Sequence, residues 1–313
     1  MSAWAMAAWP RLEDPWNDMH SRLAMLGALP SALALLAAPP ALAHGIVGDR
    51  FFPATLATDD PAVADELTLP QVDVSKTPDD PPATEVDLSG EWSKRITPNF
   101  GVSLDGAWTD LETPGGGHVG GFQNLGTTFK YQALTDAPHE LMVSVGLEAE
   151  WGGTGAERVG AERTTTLTPT LYFGKGANEL PDSLWWAKPL ALTGVIGYAV
   201  PLAHDAPRAL ESGFALEYSF RYLSAHVRDV GLPAFVNQLT PLVEVQLETP
   251  IADRQPSTGT INPGVIWSGR RVQFGLEAMA PINRASGRTV GAVFQVHWFL
   301  DDIFPQGLGR PIW

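Results

Sequence analysis

The stretch ESGFALEYSFRYLSA, 211–225, sets Phe214, Leu216, Tyr218, Phe220 and Tyr222 at every second position, with Ala215, Glu217, Ser219 and Arg221 between them. Side chains in a strand alternate between faces with a period of two. The stretch therefore reads as a ribbon, apolar on one face and partly charged on the other. In a soluble sandwich the apolar face would meet a second sheet. In a membrane barrel it would meet lipid, and the charges would line a lumen.

The same pattern recurs along the chain. VDLSGEW sets Val86, Leu88 and Trp92 against Glu85, Asp87 and Glu91, and FGVSLDGAW sets Phe100, Val102, Leu104 and Trp108 against Ser103 and Asp105. ELMVSVGLEAEW, RTTTLTPTLYF, LALTGVIGYAV, LVEVQLE, TINPGVIW, VQFGLEAMA and RTVGAVFQVHWFL continue it, and NLGTTFKYQ is its weakest member. With 65–75 as a first strand, where Pro70 demands an edge or a bulge, the chain offers twelve strands.

Their connections fall into two alternating classes. KRITPNF, LTDAPHE, NELPDSLWWAKP, VRDVGLPAFVNQ and WSGRR form one; DLETPGGGHVGG, GGTGAERVGAE, PLAHDAPRAL, TPIADRQPSTGT and PINRASGR, richer in Gly and polar residues, form the other. Barrels of the outer membrane have short turns on one rim and longer loops on the other. The stretches are about nine to thirteen residues long, near the ~9–11 that cross a bilayer and above the ~5–6 of globular strands. Aromatic residues near strand ends (Trp92, Trp108, Trp151, Trp267 and Trp298) suit an interfacial girdle. Helical periodicity is nearly absent, so no helix layer covers the apolar faces. No blade-length repeat supports a propeller. The fold expected is an all-β, antiparallel transmembrane β-barrel of about 12 strands with an irregular N-terminal segment.

Composition narrows the function. Charged residues make up 18% of the 313-residue chain, below the roughly 25% of soluble domains. A net charge of −15 argues against nucleic acid as a partner. The absence of cysteine rules out disulfides, thiolate chemistry, Cys-ligated metals and a lipoprotein anchor. Near the start, Arg22 precedes LAMLGALPSALALLAAPPALA, which closes in Ala41-Leu42-Ala43, the pattern of an export signal cleaved after Ala43. Pro30, Pro39 and Pro40 argue against a membrane-anchor helix, and translation starts at Met1 or Met19. The expected organisation is a signal peptide over 1–43, then an irregular segment over 44–83 that plugs the lumen or lies in the periplasm. A barrel over 84–300 and a tail over 301–313 follow. Cleavage would free the α-amine and imidazole of His44 together, a pair able to chelate copper, but no second His at a fixed spacing supports a metal site.

Signal, alternating strands and paired turns resemble bacterial outer-membrane β-barrels. More narrowly, GDRFFPATLATDDPAVADELTLP and SKRITPNFGVSL resemble an uncharacterised, transporter-like proteobacterial group. The resemblance implies the bacterial outer membrane, its lipid and the barrel-insertion machinery as surroundings, and no known chemistry. Such barrels end at a strand-terminal aromatic. Here LDDIFPQGLGRPIW follows Phe299, so either Phe299 serves internally or Trp313 ends a tail that returns to the barrel.

With the apolar faces at lipid, the opposite faces assign Glu85, Asp87, Glu91, Asp105, Glu148, Glu150, Glu217, Glu244, Glu248 and Glu277 to the lumen. Lys130, Arg221 and Arg163 are the basic candidates, with Asn124, Gln246, Gln273, Gln295 and His297 as neutral partners. Crowded like charges repel or recruit cations, and acidic rings favour cation passage. The expected function is passage of a small solute through an acidic lumen that favours cations, without cofactor. The bland alternative is that these acids sit at watery rims or pair with the few bases. Twelve strands are narrower than the 16–18 of open porins, which favours a plugged path.

Two rival classes stay open, a barrel enzyme acting on lipid and a structural or adhesive barrel. No Gly-x-Ser-x-Gly elbow and no His-Glu-x-x-His pair occurs. His297 is followed by Trp-Phe-Leu, where an outer-membrane phospholipase would carry Ser-Asn-Gly, so His297 with Glu277 and a neighbouring serine is the one catalytic set to test. The loop TPGGGHVGG reads as a flexible outward loop.

Overall fold

The computed structural model describes residues 45–203, 206–251 and 255–313. The expected signal segment, His44 and His204 lie outside the described residues.

A two-stranded hairpin, β1 (Ile46–Val47) and β2 (Arg50–Phe51), comes first. Thirteen strands of one antiparallel sheet follow: β3 (Glu66–Lys76), β4 (Thr84–Thr97), β5 (Phe100–Glu112), β6 (His118–Phe122), β7 (Leu125–Asp136), β8 (Leu141–Trp151), β9 (Thr166–Gly176), β10 (Leu190–Pro201), β11 (Ala209–Tyr218), β12 (Leu239–Pro250), β13 (Thr258–Ser268), β14 (Val272–Pro281) and β15 (Gly291–Phe299). Each of β7 to β15 pairs with its neighbour in sequence, and β3 pairs with both β4 and β15, so the sheet closes on itself. Leu67 stands opposite Trp298 on one side and Trp92 on the other, which fixes the seam. Strand β6 is a short extension: it pairs with the second half of β5 while β7 pairs with the first half. The wall is a closed barrel of twelve strands.

The alternation resolves as the sequence predicts. Leu216 is 51% exposed, and Glu217 beside it is 2% exposed. Along the wall Leu88, Leu104, Phe129, Val145, Leu171 and Leu276 stand outward and exposed, while Glu244 and Glu277 are buried inside. Buried charge under a continuous apolar exterior inverts the order of a soluble protein. It is the order required where lipid is the solvent and every backbone group must pair within a closed sheet. Trp151 and Trp298 lie at the ends of β8 and β15, on the outside of the barrel. Trp108 packs edge-on against Phe122 at 4.9 Å. Trp267 is covered by Phe235 and Phe274.

Several expectations are corrected in detail. The HVGG portion of the Gly-rich loop is strand β6, entered by a turn in which Thr113 N–H donates to Gly117 O and Gly117 N–H donates to Thr113 Oγ1; glycines carry no side-chain alternation, so the strand left no trace in the pattern. Strand β11 stops at Tyr218, and Phe220–Tyr222 begins a helical turn capped by the Ser219 hydroxyl. Ser219 offers the backbone a side-chain acceptor at that point, and the extended run ends there. At Pro70 the ladder of β3 slips between Thr68 and Gln71, the bulge that a residue without N–H demands. After Phe299 the chain turns through Leu300–Ile303 and does return to the barrel: Trp313 N–H donates to Ile96 O at 2.9 Å, and Lys94 Nζ donates to Leu308 O and Arg310 O.

The rim where β3 begins and β15 ends is called the near rim below, and the opposite one the far rim. The first class of connections lies on the near rim and the second on the far rim, as their alternation in sequence requires.

Leu171 sits mid-strand on the outer face of β9. Arginine there is expected to cost about 2–4 kcal/mol, read from urea titration of the protein folded into lipid vesicles; a cost under about 0.5 kcal/mol would deny that this face meets lipid.

Candidate functional site: a loop inserted in the lumen

Residues 45–65 enter the barrel at the near rim, reach to mid-lumen and return. Gly48 makes this local fold feasible: it adopts φ 60° in the β1–β2 turn and lies against the Ala137 carbonyl, where a Cβ would collide. Arg50 anchors the entrance. Its Nε bonds Glu140 Oε2 at 3.0 Å, its Nη1 and Nη2 reach Pro189 O and Lys188 O, and the guanidinium lies 3.7 Å over the Tyr222 ring. Tyr222 OH donates to the other oxygen of Glu140 at 2.6 Å. Each buried charge is thereby matched by hydrogen-bonding partners, the condition under which a buried ion pair persists.

Beyond Arg50 the loop packs two apolar knots against the wall. Phe52 meets Val47, Ala62, Met142 and Ala191, and Leu56 meets Leu242, Ile266 and Val293. Its tip would present bare backbone amides inside the barrel. Glu244 meets them: its carboxylate accepts from Leu56 N–H at 2.8 Å and Thr58 N–H at 2.5 Å, with Ala57 N–H shared between the two oxygens. Gln246 Nε2 donates to Thr58 Oγ1, Gln273 Nε2 to Ala54 O, and Ser144 Oγ to Pro61 O. On the way back, Lys130 Nζ binds Asp59 at 2.6 Å and Asp60 O at 2.9 Å. At the exit, Asp65 is gripped by Lys94 Nζ, by the Arg95 backbone N–H and by Arg95 Nε. Of the two placements the sequence left open for 44–83, lumen or periplasm, residues 45–65 take the lumen, while Glu66–Lys76 is strand β3 of the wall itself.

The sequence-derived residues divide by depth. Glu217, Glu244 and Glu277 lie in the near half, each no more than 2% exposed; Glu217 accepts from the Thr193 hydroxyl at 3.1 Å. Glu85, Asp87, Asp105, Glu148, Glu150 and Glu248 belong to the far half, beyond the loop tip. Thr109 Oγ1 donates to Asp87, Tyr172 OH to Glu148 at 2.5 Å and Asn124 Nδ2 to Glu150 at 2.8 Å. Three pairs of carboxylates stand directly opposite one another across neighbouring strands: Asp73 with Asp87, Glu91 with Asp105, and Glu211 with Glu248. Like charges so placed are destabilising on their own. Against the loop tip and β3 to β8 a cavity of about 600 Å³ remains unfilled.

Two basic candidates leave the lumen. Arg221 sits exposed on the helical turn below β11, because the strand ends before it. Arg163 stands in the far-rim loop, paired with Glu157 at 2.6 Å. His297 is buried in the near half with Nδ1 2.9 Å from Thr68 Oγ1 and Nε2 3.2 Å from Glu66. Its cross-strand partner is Gln273, whereas Glu277 faces Val293. The catalytic set of His297 with Glu277 and a serine is not assembled.

Arg50 and Asp59 escaped the sequence reading because they lie outside the alternating stretches, Asp65 and Glu140 because each stands at the very start of one, and Tyr222 because its stretch leaves the strand after Tyr218. Asp73 was hidden by the bulge at Pro70, which shifts the face count, and Glu211 by its place at the strand start. The signal that would have found Asp73 was the proline itself.

No family model matches this chain, and no curated protein does. The resemblance to a transporter-like group therefore stands on its two segments alone. Among solved structures the chain is similar to a protein described as "KdgM porin", with TM-score 0.46 and 11% identity, covering 74% of this chain and 98% of that one.

Replacing Arg50 by Ala strands Glu140 without its ion partner, a change worth about 3–5 kcal/mol in buried pairs. Amide exchange at Leu56, Ala57 and Thr58 is expected to quicken by at least ~100-fold, with the amides of β8 to β12 unchanged. Equal protection in both proteins would show that the anchor does not hold the loop.

Proposed function

We propose that this chain is an outer-membrane barrel for the passage of a small solute, that its lumen favours cations, and that the inserted loop plugs the path. The observation that carries the reading is the charge of the far half. Asp87, Asp105, Glu148, Glu150, Glu211 and Glu248 form no ion pair with Lys or Arg among the described residues. Lys130, the basic side chain at the bottom of this vestibule, is spent on Asp59. A low-dielectric wall focuses such a field along the axis, raises the local cation concentration and repels anions. The near half is closed by the loop, so passage requires the loop to shift. Its polar anchors (Arg50 with Glu140, Lys130 with Asp59, Asp65 with Lys94 and Arg95) support a seated but movable plug more than a fused core.

Single-channel recording of the protein without residues 1–43 in planar bilayers, under a KCl gradient, tests this. The expected result is rare, cation-preferring openings, a reversal potential that moves towards zero in the Asp105→Asn, Glu148→Gln, Glu150→Gln variant, and more frequent openings in Arg50→Ala. Anion preference, or unchanged selectivity in the triple variant, would overturn the cation reading. Silence from the folded Arg50→Ala protein would overturn passage itself.

A further inference from the structure

Resting on that reading, we propose that the cavity between the loop tip and the β3 to β8 wall is a binding site for a linear aliphatic polyamine. Its carboxylates run in a row from strand to strand. Glu91 stands opposite Asp105, and Asp105 stands opposite Gly126, which stands opposite Glu150. The Asp105 carboxylate lies over Gly126, in space that any Cβ would occupy. A glycine on the intervening strand thus lets the row continue without a side chain between its members. Glu148 lies on the same face two residues before Glu150, whereas Asp59, presented from the loop, is already paired with Lys130. Adjacent strands are about 4.8 Å apart, so the negative charges are spread along a line.

The partners already present are few. Ser93 donates to Glu91, Asn124 to Glu150 and Tyr172 to Glu148, all neutral, and no donor to Asp105 occurs among the described residues. A second feature of the same cavity asks for a donor. Gln295 lines it at 4% exposure and spends its Nε2 on Thr55 O and Gln71 Oε1, leaving Oε1 with no donor among the described residues. A buried acceptor left so is costly unless something supplies an N–H or O–H.

The ligand chemistry follows from this geometry. A metal ion needs oxygens converging on one point, and no group of three His, Cys, Asp or Glu with that geometry occurs among the described residues. An anion or a neutral sugar would leave the row of carboxylates uncompensated. A chain of ammonium groups separated by methylenes places one charge near each of several carboxylates and brings N–H donors for both these and Gln295. Its thin cross-section suits a space beside an inserted loop.

The test is calorimetric titration of spermidine into the folded full chain in detergent micelles at 150 mM NaCl, with MgCl2 as the charge control. Saturable one-to-one binding is expected, weakened at least tenfold in Asp105→Asn with Glu150→Gln and weakened in Gln295→Leu. In Glu85→Gln, which lies outside the cavity, affinity should stay within about twofold. Each variant is first checked for a folded barrel by its circular dichroism. Binding no stronger than that of Mg²⁺, or undiminished by the double substitution, overturns the site. Cation-selective conductance without spermidine binding would sink this site and leave the passage reading standing; saturable binding in a protein that never conducts would do the reverse.

Discussion

Everything in this molecule depends on the pairing of β3 with both β4 and β15. A membrane interior offers no water to an unpaired amide or carbonyl, so a sheet can persist there only without edges. The seam at Leu67, Trp92 and Trp298 removes the last edge. Once the wall is closed, which face is apolar decides what lies inside, and here the charged face does. The electrostatic problem of the lumen is thus a by-product of solving the hydrogen-bonding problem of the wall.

That problem has two solutions at two depths. In the near half the inserted loop supplies the counter-groups: backbone N–H groups answer Glu244, and Arg50 answers Glu140. Charge and loop stabilise each other, because a carboxylate without these donors, or amides without this acceptor, would each lose its partner inside the barrel. In the far half no such answer is built in. Among the described residues the carboxylates there face one another across strands, relieved by hydroxyls and by the side-chain amides of Asn124 and Gln71. The seating of the loop and the charge left in the cavity are in this sense one question, asked of different carboxylates at different heights.

How much of this was legible in the sequence follows from what each element hides. Strands with one face in lipid and one in a polar lumen show a clean period of two, so ELMVSVGLEAEW and VQFGLEAMA could be placed, faces included, from residue types alone. The signal failed where a residue has no side chain to alternate, as in HVGG, or where a bulge shifts the count, as at Pro70. It failed again where a local acceptor, Ser219, ends the extended run before its apolar alternation stops. The inserted loop was illegible for a deeper reason. Its shape is set by contacts with residues far away in sequence, Glu140 to Arg50 and Glu244 to Thr58, and none of these leaves a local period. Nor could residue types alone show that the loop would seat its tip on Glu244.

The loop enters and leaves by the same rim, and this has a topological meaning. A chain threaded from one rim to the other could be withdrawn only by dragging one end through the lumen. This one is a bight, drawn in from below and not linked through the ring of strands. Sliding it out would break no rung of the wall and would ask for rotation at little more than the Asp65–Glu66 junction, where the loop becomes β3. The wall can therefore stay sealed against lipid while its contents are exchanged.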